Sequence, residues 1–88
     1  MGKTFECEVG RLVDGQPKWE VMSVEEVLSL PDPSIRCKEC HGTIRLHRAG
    51  PGGVPRAHAE HRHRHKGCSL GDCFDGERRV SPNPVEQP

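Results

Sequence analysis

The chain has 88 residues, of which 32% are hydrophobic, 30% are charged and 3% are aromatic, and its formal net charge is zero. Leu, Ile, Val and Phe together account for 17 residues, which excludes a large enzyme with its own deep pocket, a membrane span and a coiled coil. A single domain with so few large apolar side chains needs a disulfide, a metal or a partner to stay folded.

The first predicted element is a β-hairpin. Residues 4–9 alternate apolar and polar, which predicts a strand whose buried face carries Phe5, Cys7 and Val9. A second short strand contains Trp19 and Val21, and it follows a turn signal at residues 14–17. We therefore expect two strands joined by a long, slightly irregular loop.

A short helix is predicted after the hairpin. Ser23 and Glu26 form a capping box, in which the Ser23 hydroxyl accepts a hydrogen bond from the Glu26 amide. We expect about two helical turns, ending at Leu30 because Pro31 follows. The inward-facing side chains of this helix would be Val24, Val27 and Leu28.

A second hairpin is predicted in the middle of the chain. Residues 43–47 alternate as a strand, and residues 54–59 return antiparallel after a glycine-rich tip. Residues 60–66 are polar or charged, and they either form a short helix or stay irregular. We expect residues 1–80 to form one domain and the Pro-rich residues 81–88 to form a flexible tail.

The clearest chemical signal is the Cys-x2-Cys pair that precedes this second hairpin. Two thiols at this spacing, followed by a glycine, are typical of a tight turn that presents both sulfurs to one tetrahedral zinc ion. Further Cys and His donors lie one hairpin later, and the fold would bring them back beside the first pair. The predicted ligands of one structural Zn²⁺ are Cys37, Cys40, His58 and His61, with Cys68 as the alternative to His58.

The order of these elements resembles the N-terminal zinc-ribbon region of the competence-protein CoiA-like family. The resemblance covers residues 5–66 and includes the element Arg56-Ala57-His58-Ala59-Glu60-His61, which corresponds to the family's His-Phe-x-His. It implies a metal-binding role for Cys37, Cys40, His58 and His61. Ala59 replaces the family's aromatic residue, and the nuclease-like domain of those proteins has no counterpart here, so the resemblance implies no catalytic activity.

Charge and cysteine usage bear on compartment and partners. The N-terminal residues contain no apolar run typical of a secretion signal, so we expect a cytoplasmic protein with reduced thiols. An odd number of Cys, five, favours a metal over a disulfide framework. Residues 41–66 carry six basic side chains, one acidic side chain and all six His, so this segment is net +5.

Three functions are compatible with these features. We expect a monomeric, non-catalytic zinc module that binds an unknown protein partner. The alternative is a zinc module that binds DNA or RNA through phosphate contacts, although a pI near 7.0 is low for such a protein. Its contact residues would be Arg45, Arg48, Arg56, Arg62, Arg64 and Lys66. A third alternative is a zinc-dependent hydrolase or nuclease with Glu60 as general base.

Overall fold

A computed structural model of the chain describes residues 3–63, 65–71 and 73–86. The chain forms a small α+β domain of zinc-ribbon-like architecture, in which two three-stranded antiparallel sheets and one short helix share a core. Its dimensions are 39 × 36 × 15 Å, so the domain is a thin slab. Over the described ranges, no helix has the length and apolar character needed to span a membrane.

The N-terminal hairpin consists of β2 (Glu6–Val13) and β3 (Gln16–Ser23). Asp14 and Gly15 form its turn with φ angles of 53° and 78°, as in the two-residue turns that match strand twist. The hairpin therefore has a tight turn instead of the long, irregular loop expected from the sequence. Pro17 lies within β3, where it is tolerated because β3 is the outer strand of its sheet.

The inward face of this hairpin only partly follows the prediction. Cys7 and Val9 are buried as expected. Phe5, however, lies at the bend between β1 (Lys3–Thr4) and β2, where 40% of its surface remains exposed. The chain bends there because β1 leaves the first sheet and pairs with β6 (His58–His61) of the second. The strand expected at residues 4–9 is thus two strands in different sheets.

The helix α1 (Val24–Val27) has one turn where about two were expected. Ser23 caps it as predicted, because its hydroxyl accepts from the Glu26 amide at 3.2 Å. The next amides, of Ser29 and Leu30, donate to carbonyls three residues back at 3.1 and 3.0 Å, so the chain tightens into isolated turns before Pro31. Val24 and Val27 are fully buried and Leu28 is half-buried, which places the helix against the core.

The second sheet has the order β1–β6–β5, with β5 at Ile44–His47. In the β5–β6 hairpin Ile44 pairs with His61 and His47 pairs with His58. Because strand side chains alternate, His61 shares one face with Ile44, while His58 shares the opposite face with His47. β6 begins at His58, later than expected from the sequence, and the glycine-rich tip forms a single 3-10 turn at Pro51–Gly53. After His61 the chain bends at residues 62–63 and forms no helix there.

The core combines short aliphatic side chains with sulfur. Val9, Val24, Val27 and Ile44 supply its branched side chains. Seven core residues, all Cys or small aliphatic, are fully shielded from solvent. Three of them are Cys37, Cys40 and Cys68. The sulfur cluster is therefore part of the hydrophobic core and not an appendage on its surface.

Arg36 lies on β4 (Ile35–Arg36), which pairs with β2 and gives the first sheet the order β3–β2–β4. Its side chain connects this sheet to the C-terminal segment. Its Nε lies 2.6 Å from Glu8 Oε1, its Nη1 donates to the Val85 carbonyl at 2.9 Å, and its guanidinium lies 4.0 Å from the centre of the Trp19 ring. These three contacts use the planar, multi-donor shape of the guanidinium.

The C-terminal segment runs beside the Cys-x2-Cys turn. The Ser81 amide donates to the Cys40 carbonyl at 2.8 Å, and the Val85 amide donates to the His41 carbonyl at 2.7 Å. The division into a domain of residues 1–80 and a flexible tail stays a prediction, and the last two residues lie outside the described ranges.

Candidate metal centre

The Cys-x2-Cys turn lies between β4 and β5 and is closed by its own backbone. The Cys37 amide donates to the Gly42 carbonyl at 2.9 Å, and the His41 amide donates to the Cys37 carbonyl at 3.0 Å. Gly42 is buried, and a Cβ at this position would lie 3.3 Å from the Cys40 sulfur and 3.2 Å from the Ser81 side chain. The tight fit explains why a glycine follows the cysteine pair.

Four side chains converge at this turn: Cys37, Cys40, His61 and Cys68. One ligand atom from each lies within 4.8 Å of the others. The sulfurs of Cys37 and Cys68 are 3.6 Å apart, and the Cys40 sulfur is 3.4 Å from His61 Nε2. A tetrahedral zinc ion with ordinary bond lengths would place two sulfurs about 3.8 Å apart, and a sulfur and a nitrogen about 3.6 Å apart. The donors therefore fit one tetrahedral metal ion.

The environment of the sulfurs favours a thiolate at Cys37. The Cys40 thiol donates a hydrogen bond to the Cys37 sulfur, and with further help from His61 and the backbone amides of Cys40 and Glu39 this lowers the pKa of Cys37 to about 3. Burial raises the pKa of Cys68 to about 11, against a hydrogen bond from the Leu70 amide. The hydrogen bond that Cys40 donates to Cys37, together with burial, raises the pKa of Cys40, and a hydrogen bond from the Gly42 amide opposes this increase. Each sulfur thus accepts a hydrogen bond from the backbone amide two residues later in the chain.

His58 does not reach this cluster, and Cys68 takes the fourth position. His58 and His61 are three residues apart on one strand, so they face opposite sides of the sheet. His58 Nδ1 lies 2.6 Å from the Arg56 carbonyl oxygen, and its ring stacks on His47 at 4.9 Å. The alternative ligand set, with Cys68 in place of His58, is the one that the structure brings together.

Glu39, which is not among the residues expected from the sequence, links the two halves of the cluster. Its carboxylate accepts hydrogen bonds from both the amide and the hydroxyl of Ser69, the latter at 2.6 Å. Partial burial raises the pKa of the Glu39 carboxyl, but the hydrogen bonds from Ser69 outweigh it, so the net effect is a lowered pKa. Glu39 lies between the two cysteines of the turn, and Ser69 follows Cys68. The pair therefore fixes Cys68 beside the Cys-x2-Cys turn, but no pattern in the sequence indicates which residue Glu39 would bind.

The remaining cysteines lie apart from these four ligands. Cys7 is buried on β2, and burial, followed by the influence of Cys37, raises its pKa to about 11. It is a small core residue, as expected from the strand pattern. Cys73 is a free, half-exposed thiol in the C-terminal segment.

The basic residues proposed for nucleic-acid contact differ in their surroundings. The Arg56 guanidinium pairs with Glu25 at 3.1 Å and lies 4.5 Å from the centre of the Phe5 ring. Arg62 Nε donates to the Ile44 carbonyl at 3.3 Å. Both guanidiniums are therefore engaged within the protein, although the side chains remain exposed. Arg45, Arg48 and Lys66 are exposed, and Arg64 lies outside the described residues.

Comparison with known proteins identifies relatives at the level of sequence. A protein-family model matches residues 1–86. An uncharacterized protein of Azorhizobium caulinodans is 49% identical to the chain over 81 residues, an alignment that covers 91% of the chain and 92% of that relative. No solved structure matches the chain.

Proposed function

The chain belongs to the family whose model it matches over residues 1–86, and we propose that it is a small structural-zinc domain that acts as a non-catalytic protein-interaction module. The observation that carries this proposal is the closed donor set. Three cysteines with no exposed surface and one half-buried histidine offer four ligands. Structural zinc sites use four protein ligands, whereas catalytic sites use three and keep a position for water or substrate.

Zinc is the metal that this donor set favours. Thiolate-rich sites select Zn²⁺, Cu(I) or iron–sulfur clusters, and three sulfurs with one imidazole in a tetrahedral arrangement are typical of structural zinc. Amides that point at the sulfurs offset part of the negative charge of three thiolates.

Two features of the surface support a protein partner. Leu12 and Val21 expose 77% and 50% of their surface on one face of the β2–β3 hairpin, where they pair with Pro17 and Glu8, whereas Val13, 42% exposed, lies on the opposite face. Exposed apolar side chains that share one face of a sheet favour a protein contact on that face. Arg56 and Arg62, in contrast, use their guanidiniums within the domain, which leaves fewer cations for phosphates.

The metal assignment is tested by elemental analysis together with X-ray absorption at the zinc edge. We expect at least one tightly bound zinc per chain, with three sulfurs and one nitrogen in its coordination shell. Purified protein without bound metal, or with a two-sulfur shell, would contradict the closed site.

The interaction role is tested by capture from native lysate with the intact chain as bait. We expect a protein that is retained by the wild type, lost with the double variant Leu12→Ser and Val21→Ser, and retained by Val54→Ser. Val54 is a suitable control because it is 75% exposed at the tip of the other hairpin.

Nucleic-acid binding is tested separately. Titration with duplex and single-stranded DNA at two salt concentrations should show no salt-sensitive binding at micromolar protein. Salt-sensitive binding that is lost on substitution of Arg45 and Arg48 would favour the nucleic-acid alternative over the present proposal.

A further inference from the structure

The face of the β5–β6 hairpin opposite the cysteine cluster carries a second group of metal-ligand side chains. His47 and His58 pair directly across the two strands, and Glu60 lies two residues after His58 on the same face. One ligand atom from each of the three lies within 4.8 Å of the others. His47 Nε2 is 2.8 Å from Glu60 Oε1, and the two imidazole rings stack with an interplanar angle of 16°.

The buried member of the group already has the tautomer that a metal ligand needs. His58 exposes 5% of its surface. Its Nδ1 lies 2.6 Å from the Arg56 carbonyl oxygen, and a carbonyl can only accept, so Nδ1 carries the hydrogen. The lone pair of the neutral ring is then on Nε2. A hydrogen bond from the far ring nitrogen to a backbone carbonyl is how metal-binding histidines are commonly oriented.

The other two members are open to solvent. The side chains of His47 and Glu60 are 34% and 42% exposed. In the hydrogen bond between them, Nε2 of His47 donates to the carboxylate. When a divalent cation binds there, the hydrogen moves from Nε2 to Nδ1 by exchange with water, so the ring stays neutral and both the Nε2 lone pair and the carboxylate oxygen become ligands.

We propose that His47, His58 and Glu60 form a second metal site, for an exchangeable divalent ion of the first transition row such as Zn²⁺. Two imidazoles and one carboxylate are donors that such ions accept, whereas Mg²⁺ and Ca²⁺ prefer oxygen alone. Three protein ligands leave at least one position for water. The site therefore differs in kind from the closed, sulfur-rich cluster, and it does not depend on the function proposed for that cluster.

The two sites share β6 but remain chemically separate. Glu60 and His61 are neighbours in sequence, yet alternation directs them to opposite faces of the strand. Arg45 pairs with Glu60 in the register and lies on the same face as the second site. Its positive charge opposes that of a bound cation, so the second site should be the weaker of the two.

The experiment uses the full chain with zinc already bound at the cysteine cluster. Equilibrium dialysis against Zn²⁺ alone, followed by elemental analysis, should give two equivalents for the wild type. The variants His47→Gln and Glu60→Gln should each retain the first equivalent and lose or weaken the second at least tenfold. The control His63→Gln changes an exposed histidine outside the group, and it should still bind two.

Imidazole nitrogen resonances supply an independent measurement that does not depend on a variant folding. Addition of the second equivalent should shift Nε2 of His47 and His58 and leave the resonances of His63 and His65 in place. The proposal is overturned if the wild type binds one equivalent, if His47→Gln still binds two, or if the second equivalent shifts His63 or His65 instead. The first equivalent is measured in the same dialysis, so failure of the cysteine site would be distinguishable.

Discussion

Removal of the metal should unfold the whole domain and not only the cysteine turn. The branched aliphatic side chains of the core are Val9, Val24, Val27 and Ile44. Burial of each contributes about 1.5–3 kcal/mol, or about 6–12 kcal/mol together. Binding of a structural zinc contributes about 10–16 kcal/mol near neutral pH. The metal is thus worth about as much as these four buried side chains together, and about as much as the entire stability of an ordinary domain, about 5–15 kcal/mol.

The assay is to remove the metal with a chelator and to follow far-ultraviolet circular dichroism and the dispersion of amide resonances. We expect both signals to collapse together and to return when zinc is added back. The matched control is Cys73→Ser, which should respond as the wild type does, because Cys73 lies apart from the four ligands. Metal-free protein that keeps dispersed amide resonances in β5 and β6 would refute the reasoning.

Four individual contacts can each be tested by a substitution or a deletion. Cys68→Ser should lower the thiolate-to-metal charge-transfer absorbance of the cobalt-substituted protein by about one third, since two thiolates remain of three; an unchanged band would mean that Cys68 is not a ligand. Arg36→Lys should cost about 1–3 kcal/mol in chemical denaturation and alter the fluorescence of Trp19, because lysine lacks the planar fork; unchanged fluorescence and stability would refute the three-way contact. Ser23→Ala should cost about 0.5–2 kcal/mol and Ser23→Asn should be nearly neutral, as measured by denaturation, whereas equal effects would argue against a cap. Deletion of residues 81–88 should cost about 1–4 kcal/mol and lower the thermal midpoint by several degrees, because it removes backbone hydrogen bonds to the cysteine turn; an unchanged midpoint would support a flexible tail.

Local patterns in the sequence were sufficient for most of the fold. Alternation identified β3 and β5 and parts of β2 and β6, and the capping box located the N-cap of the helix at Ser23. The length of the helix was less predictable. The turns after Val27 are closed by hydrogen bonds between residues three apart, and the apolar residues there have the same spacing as in a second helical turn. The sequence also did not reveal that Phe5 lies at a bend between two sheets. That position depends on the pairing of β1 with β6, in which Lys3 pairs with Glu60, 57 residues later in the chain.

The choice of Cys68 over His58 as the fourth metal-ligand candidate could not be made from the sequence. His58 and His61 look like a ligand pair when only spacing is considered, but a strand directs residues three apart to opposite faces. Cys68 reaches the cluster through an irregular segment, and its position is fixed by Ser69 and Glu39, a contact without any periodic signal. His47 was overlooked for a related reason, because its partnership with His58 depends on the exact hairpin register.

The four ligands of the cysteine cluster also set an order in which the ion can be acquired. Cys37 and Cys40 lie within one turn, whereas 20 residues separate Cys40 from His61 and six more separate His61 from Cys68. The first pair can chelate an ion in a chain that has not yet folded, and the later ligands require loop closure. Affinity of the unfolded chain for metal reduces the stabilisation that binding gives the folded one. We therefore expect a chain emerging from the ribosome to be able to hold a metal ion once Cys40 has appeared, and to complete the coordination when Cys68 follows.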